Sequence, residues 1–132
     1  MDLRSFIDVL SKQGRLRRIE REVDWRFEIG AITRENQQPL LFEKVKGYPR
    51  ARVFTNGLSG VELIELALGL DHSHNRKQII EEIKKRAKNP LAPKIVATGP
   101  VLENVVPSSD IDLFQFPVPQ WSTEDACRYI GT

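Results

Sequence analysis

The chain has 132 residues, 40% of them hydrophobic, and its 20 lysines and arginines against 18 aspartates and glutamates leave a formal net charge of +2. This length supports one modest core, and this net charge is too small to attract a polyanion through the overall field. The single cysteine, Cys127, excludes an intramolecular disulfide framework, and no apolar run approaches the roughly 18 residues of a membrane span. We therefore expect a cytoplasmic protein that binds neither membranes nor nucleic acid.

The N-terminal part predicts two helices separated by an extended stretch. Apolar residues recur at helical spacing after Asp2, and Gly14 stands where glycine ends many helices, so a first, half-buried helix is expected between them. The charged stretch 15–22 predicts an edge strand or an extended link. Asp24 is expected to cap a brief second helix, which carries Trp25, Ile29 and Ile32.

Two strands and a third helix are predicted next. Apolar runs at 39–45 and 51–55, with turn residues between them, predict two strands of a small sheet. Ser59 stands three residues before Glu62, which is the spacing of a capping box at a helix start. Gly69 is expected to end this helix.

A fourth helix and two more strands complete the predicted elements. Asn75 and Gln78 repeat the capping-box spacing, and cations follow at the C-terminal end of the predicted helix. Its inward face is expected to consist of Ile79, Ile80, Ile83 and Ala87. The β-branched runs 94–97 and 101–106 predict two further strands.

The residue types that bind metals or attack substrates occur only in incomplete sets. His72 and His74 form one pair and Asp110 and Asp112 another, whereas a zinc site normally needs three or four protein ligands. We expect both pairs to be polar turn residues. Cys127 has no histidine near it in the sequence, so an unreactive thiol is expected.

Three stretches resemble the UbiD family of prenylated-flavin-dependent (de)carboxylases. They are MDLRSFIDVLSKQGRLRRIEREVD followed by FEIGAITRE, PLLFEKVKGYPRARVFTN with ALGL, and ATGPVLENVV followed by IDLFQFPVPQW and DACRYIGT. They stand in the family's order and span nearly the whole chain. FPVP followed by an aspartate and RYIGT is most similar to the branch that contains ferulic acid decarboxylase and pyrrole-2-carboxylate decarboxylase.

The resemblance implies an α+β fold, in which a small N-terminal α/β domain at 1–106 is followed by 107–132, a linker and the start of the incomplete flavin-binding split β-barrel. The proline-rich stretch 107–121 agrees with an extended crossing between these parts. The implied activity is that of a carboxy-lyase: non-oxidative, reversible decarboxylation of an aromatic, heteroaromatic or α,β-unsaturated carboxylic acid.

The family uses prenylated FMN with Mn and K. Its metal-binding Asn, His and Glu and its catalytic Glu-Arg-Glu set lie beyond the RYIGT motif, so no catalytic or metal-binding residue is assigned in this chain. Thr132 is the one match to a cofactor-contacting position. We therefore expect the chain alone to bind no cofactor and to be inactive, and its full-length form to act as a homo-oligomer or with a catalytic partner chain.

The motif also departs from the family pattern. Ala126 and Cys127 stand where the family usually has two glycines, and Ser122 stands where it commonly has histidine. Glycine permits a positive φ or a close approach to a ligand, which alanine and cysteine resist.

Two other hypotheses compete with the hypothesis that the chain is part of a decarboxylase. The chain is alternatively a stand-alone, non-catalytic subunit or interaction module whose barrel is completed by a separate catalytic chain. A generic nucleic-acid-binding α+β domain has little support, because the basic groups alternate with glutamates.

Overall fold

The computed structural model describes residues 1–71 and 73–130. Within them the chain forms four α-helices and a three-stranded sheet, followed by three short 3-10 turns. In chain order these are α1 (Leu3–Lys12), β1 (Arg17–Val23), α2 (Glu28–Glu35), β2 (Leu40–Val45), β3 (Val53–Thr55), α3 (Val61–Leu68), α4 (Arg76–Lys88) and the turns Pro100–Leu102, Ser108–Asp110 and Leu113–Gln115.

The sheet has the order β1-β2-β3. β1 runs parallel to β2, with Arg17 opposite Leu40 and Val23 opposite Val45, and α2 makes the crossover that parallel neighbours require. β3 pairs with β2 in the antiparallel direction, as a short turn allows. The central strand β2 is therefore buried, and β1 lies at an edge as its charged sequence predicts.

Two apolar clusters hold these elements together. The larger one joins the sheet to α2 and consists of Val23, Ile29, Leu40, Phe42 and Val45. The smaller one joins α1 to α3 and consists of Phe6, Leu10 and Leu63. Each such side chain contributes about 1.5–3 kcal/mol when it is fully buried. We call the part of the chain that these clusters join, residues 3–68, the sheet unit.

Several predicted helix ends are confirmed. The Asp2 side chain accepts a hydrogen bond from the backbone N–H of Ser5 at 2.8 Å, and α1 ends before Gly14, which has a φ of +67°. Gly69 ends α3 in the left-handed region. Both hydrogen bonds of the capping box at α4 are present.

Two predicted caps are wrong. α2 begins at Glu28 rather than after Asp24, so Trp25 lies in the preceding turn, and the Asp24 carboxylate accepts a hydrogen bond from the backbone N–H of Arg26 instead. The residue before α3 is Gly60, and the Ser59 hydroxyl donates to the Gln37 carbonyl at 2.6 Å. In both places, the side chain that was expected to cap a helix makes a different hydrogen bond.

The strands predicted at 94–97 and 101–106 are also wrong. Both runs are exposed, and Pro100–Leu102 forms a 3-10 turn. β-propensity expresses packing on a neighbouring strand, and no strand pairs with either run among the described residues. The inward face of α4 is likewise narrower than predicted, because Ile79 is buried whereas Ile80 and Ile83 are 51% and 46% exposed.

No helix among the described residues is both long and apolar enough to cross a membrane.

The two capping-box predictions provide a matched pair of variants. We expect Asn75→Ala to destabilise α4 by about 1 kcal/mol, because it leaves the backbone N–H of Gln78 without its acceptor. Ser59→Ala should change the stability of α3 by less than about 0.5 kcal/mol, as expected for a surface residue that does not cap a helix. Amide hydrogen exchange of each helix measures both effects. Equal effects would contradict the conclusion that Asn75 caps α4 and that Ser59 does not cap α3.

Candidate functional site

The end of the proline-rich stretch returns to the sheet unit at the turn between β1 and α2, and we call residues 120–130 the returning segment. The backbone N–H of Gln120 donates to the Trp25 carbonyl at 3.1 Å, and the N–H of Phe27 donates to the Gln120 carbonyl at 2.8 Å. Arg26 and Gln120 thus form an isolated parallel bridge. We call this contact the Gln120 bridge.

Gly30, in the first turns of α2, permits a close backbone approach next to this bridge. A Cβ atom at Gly30 would collide with the carbonyl oxygen and carbonyl carbon of Trp121. Gly30 is buried, and the Trp121 ring packs against the larger apolar cluster. The helix and the returning segment therefore meet backbone to backbone, which only glycine allows.

The Asp125 carboxylate closes the turn that follows the bridge. It accepts hydrogen bonds from the backbone N–H groups of Trp121 at 3.0 Å and Ser122 at 2.9 Å. Ala126 and Cys127, at the positions where the resemblance implies glycines, are exposed and do not have positive φ values. The local backbone of this chain accordingly does not require glycine there.

The residue before α2 carries backbone strain at the same place. Phe27 has a φ of 66°, which is unusual for a bulky residue, and its side chain does not cap the helix. Such a conformation persists when surrounding contacts determine it. The hydrogen bond from Phe27 to Gln120 is one of those contacts.

Two carboxylates fix this turn. The pKa of Asp24 lies below its ordinary value of 3.8 because the backbone N–H of Arg26 and the Lys46 ammonium both donate to it. The pKa of Glu28 lies below 4.5 because the backbone N–H of Asp24 donates to it at 2.6 Å and Arg21 pairs with it at 2.7 Å. Both groups thus remain ionised, with their hydrogen bonds made, down to mildly acidic pH.

A second contact lies further along the returning segment. The Arg128 guanidinium carbon stands 4.3 Å from the centre of the Trp25 ring and 4.7 Å from that of Phe114. Arg128 also donates to the Tyr48 hydroxyl at 2.6 Å, and that hydroxyl donates to the Phe114 carbonyl at 2.8 Å. We call these four residues the Arg128 cluster.

Open clefts border the Arg128 cluster. One of about 590 Å³ is lined by Trp25, Tyr48, Phe114 and the β2–β3 turn. Another of about 330 Å³ is lined by Leu113, Phe114, Val118, Arg128, Tyr129 and Ile130. Both clefts have aromatic or apolar walls and one arginine each, Arg50 in the first and Arg128 in the second.

The other predicted site residues are not brought together. Thr132 and His72 lie outside the described residues. The backbone N–H of His74 donates to Glu65, Asp112 accepts from the backbone N–H of Phe114 as a turn aspartate does, and Cys127 is an exposed free thiol. The described part of the chain contains no group of three or more His, Cys, Asp or Glu residues that could hold a metal ion.

Sequence reasoning missed Gly30, Tyr48 and Arg128. A glycine inside a helical pattern is a signal of close packing, so Gly30 was detectable in principle. Tyr48 and Arg128 are 80 residues apart, and no local pattern connects them.

The close approach at Gly30 gives a direct test of the docked segment. We expect Gly30→Ala to displace residues 120–125, because the new methyl group overlaps the Trp121 carbonyl. The amides of Phe27 and Gln120 should then exchange at least about fivefold faster, as expected when a bridge worth about 1 kcal/mol or more opens. The matched control is Gly99→Ala, where a Cβ would meet nothing within 4 Å and the φ of −170° suits any residue. Unchanged exchange in Gly30→Ala would contradict the docking.

Comparison with known proteins identifies the family. The sequence model of the 3-octaprenyl-4-hydroxybenzoate carboxy-lyase N-terminal domain matches residues 7–83, which is more than half of the chain. Pyrrole-2-carboxylic acid decarboxylase of Pseudomonas aeruginosa is 34% identical over 100% of this chain. The chain spans only 29% of that relative's length.

Solved structures agree in fold. The closed form of vanillic acid decarboxylase (ShVdcCD) from Sedimentibacter hydroxybenzoicus superposes with a TM-score of 0.81 at 34% identity, over 98% of this chain and 29% of that one. An evolved dimeric form of the UbiD-class enzyme HmfF from Pelotomaculum thermopropionicum, in complex with prFMN, superposes with a TM-score of 0.80 at 31% identity. The match covers 97% of this chain and 30% of that one. The chain therefore belongs to the UbiD family of carboxy-lyases and matches its N-terminal part.

Proposed function

We propose that this chain is the N-terminal part of a decarboxylase that removes CO2, reversibly and without net oxidation, from an aromatic, heteroaromatic or α,β-unsaturated carboxylic acid with prenylated FMN. The match of essentially the whole chain, in fold and sequence, to a pyrrole-2-carboxylic acid decarboxylase and a vanillic acid decarboxylase carries the proposal. A relative solved with prFMN supports the choice of cofactor.

The role proposed for this chain is to hold the start of the flavin-binding unit. Residues 1–106 form the N-terminal domain in this proposal, and 107–132 form the linker and the entry to the split barrel. The Gln120 bridge and the Arg128 cluster support it, because they attach the entry segment to the sheet unit only a few residues before Thr132. Thr132 is the proposed cofactor contact.

The resemblance places the family's metal-binding and catalytic residues beyond the RYIGT motif. On this basis we propose that the metal ions, and most of the flavin contacts, belong to parts of the catalytic unit outside this chain, and that the isolated chain is inactive.

Exposed apolar residues support a covering partner. Leu91 and Ile95 are each 95% exposed, Val101 is 85% exposed, and Phe116 is 50% exposed. Surfaces of this kind mark interfaces. We propose that the rest of the catalytic unit covers them, in a homo-oligomer or in a complex with a catalytic partner chain. The stand-alone subunit remains the second candidate, because the unpaired runs 94–97 and 101–106 equally suit pairing with a separate chain.

A chimera tests the proposed function. The aligned N-terminal part of the Pseudomonas aeruginosa decarboxylase is replaced by this chain, and the product is prepared with prenylated FMN and Mn. We expect visible flavin absorbance and CO2 release from pyrrole-2-carboxylate, because the chain supplies the docked entry segment. The isolated 132-residue chain should show neither.

Thr132→Val within the chimera tests the cofactor contact. Loss of one hydrogen bond of about 1 kcal/mol should weaken flavin binding roughly fivefold. Thr123→Val, at an exposed position of the same segment, should not weaken it. A folded chimera that binds no flavin would contradict the proposal, as would flavin-dependent CO2 release by the isolated chain.

A further inference from the structure

Arg128 joins three separate parts of the chain. Trp25 lies in the turn before α2, Tyr48 lies in the turn between β2 and β3, and Phe114 lies in the 3-10 turn Leu113–Gln115. The first two belong to the sheet unit, and the third belongs to the proline-rich stretch 107–121. One side chain thus contacts both.

These contacts require arginine rather than a positive charge alone. A guanidinium is planar, so it lies against ring faces and still donates hydrogen bonds from its edge, whereas an ammonium is a compact point charge. Both rings stand within the roughly 6 Å over which a cation–π contact is favourable. Arg128 is half-buried, which strengthens such contacts, and it forms no ion pair with a carboxylate among the described residues.

The returning segment is held near its start by the Gln120 bridge and by the packing of Trp121. Arg128 adds a separate attachment beyond the turn closed by Asp125. Without it, the described residues after this turn would lack a half-buried contact to the sheet unit. Tyr129 and Ile130, which follow directly, are 57% and 71% exposed, so Arg128 is the last half-buried contact in the described chain.

We propose that Arg128 is a positioning residue that sets the direction in which the chain leaves the N-terminal domain toward Thr132. Its meaning for catalysis rests on the proposed function, because the direction matters to the cofactor only if Thr132 contacts the flavin. The proposal that Arg128 holds the returning segment in place depends only on the contacts of the Arg128 cluster. Arg128 acts through the segment that it holds and is not assigned a chemical step.

Amide exchange and NMR of the 132-residue chain, without flavin, test the proposal. We expect Arg128→Lys to accelerate exchange of the Trp121 and Ser122 amides about tenfold. The substitution keeps the positive charge but removes the planar guanidinium group. Tyr48→Phe should accelerate the same amides by a smaller factor, since it removes the hydroxyl and keeps the ring. The Trp25 indole N–H resonance should shift in Arg128→Lys, because the stacked guanidinium is gone.

Arg50→Lys is the matched control, because Arg50 lines the cleft beside Tyr48 but is not part of the Arg128 cluster. Its exchange rates should stay within about twofold of the parent. The amide of Phe42 in the buried strand should be unchanged in all variants, which shows that the sheet unit remains folded. Equal rates in Arg128→Lys and the parent, or equal acceleration in Arg50→Lys, would overturn the proposal. Neither result depends on whether the chain acts with a flavin.

Discussion

The pair of backbone hydrogen bonds between the turn at Trp25–Phe27 and Gln120 holds the returning segment against the sheet unit, and the candidate site depends on it. The turn is prepared for this contact by two ionised carboxylates, Asp24 and Glu28, which accept backbone N–H groups within it. The glycine at position 30 then lets the Trp121 backbone approach α2. These features place the returning segment where Arg128 reaches the Trp25 ring and the Tyr48 hydroxyl.

Local signals in the sequence predicted local structure well. The helix of Leu3–Lys12, the strands of the sheet and the capping box at Asn75 follow from spacing and residue type, and all are present. The predictions failed where the outcome depends on partners that the local sequence pattern does not specify. Asp24 fixes a turn instead of capping α2, and the runs 94–97 and 101–106 have strand-forming residues but no neighbouring strand in the described chain.

The candidate site was predicted in part. The order of the family motifs indicated which family the chain belongs to, and matches over nearly the whole chain confirm it. The motifs did not indicate how the RYIGT segment is attached, because Arg128 meets Trp25 and Tyr48 only after the chain has folded. The replacement of two glycines by Ala126 and Cys127 is compatible with the turn, since Asp125 closes it through backbone N–H groups.

Paramagnetic broadening from a spin label on Cys127 tests the central claim most directly. Cys127 is the single cysteine and is exposed, so it can be labelled without any substitution. Since its neighbour Arg128 contacts Trp25 and Tyr48, the docked segment predicts strong broadening of the amide signals around both residues, relative to the reduced label. Broadening confined to the residues that adjoin Cys127 in the sequence would show that the segment is not held against the sheet unit, and would contradict the account.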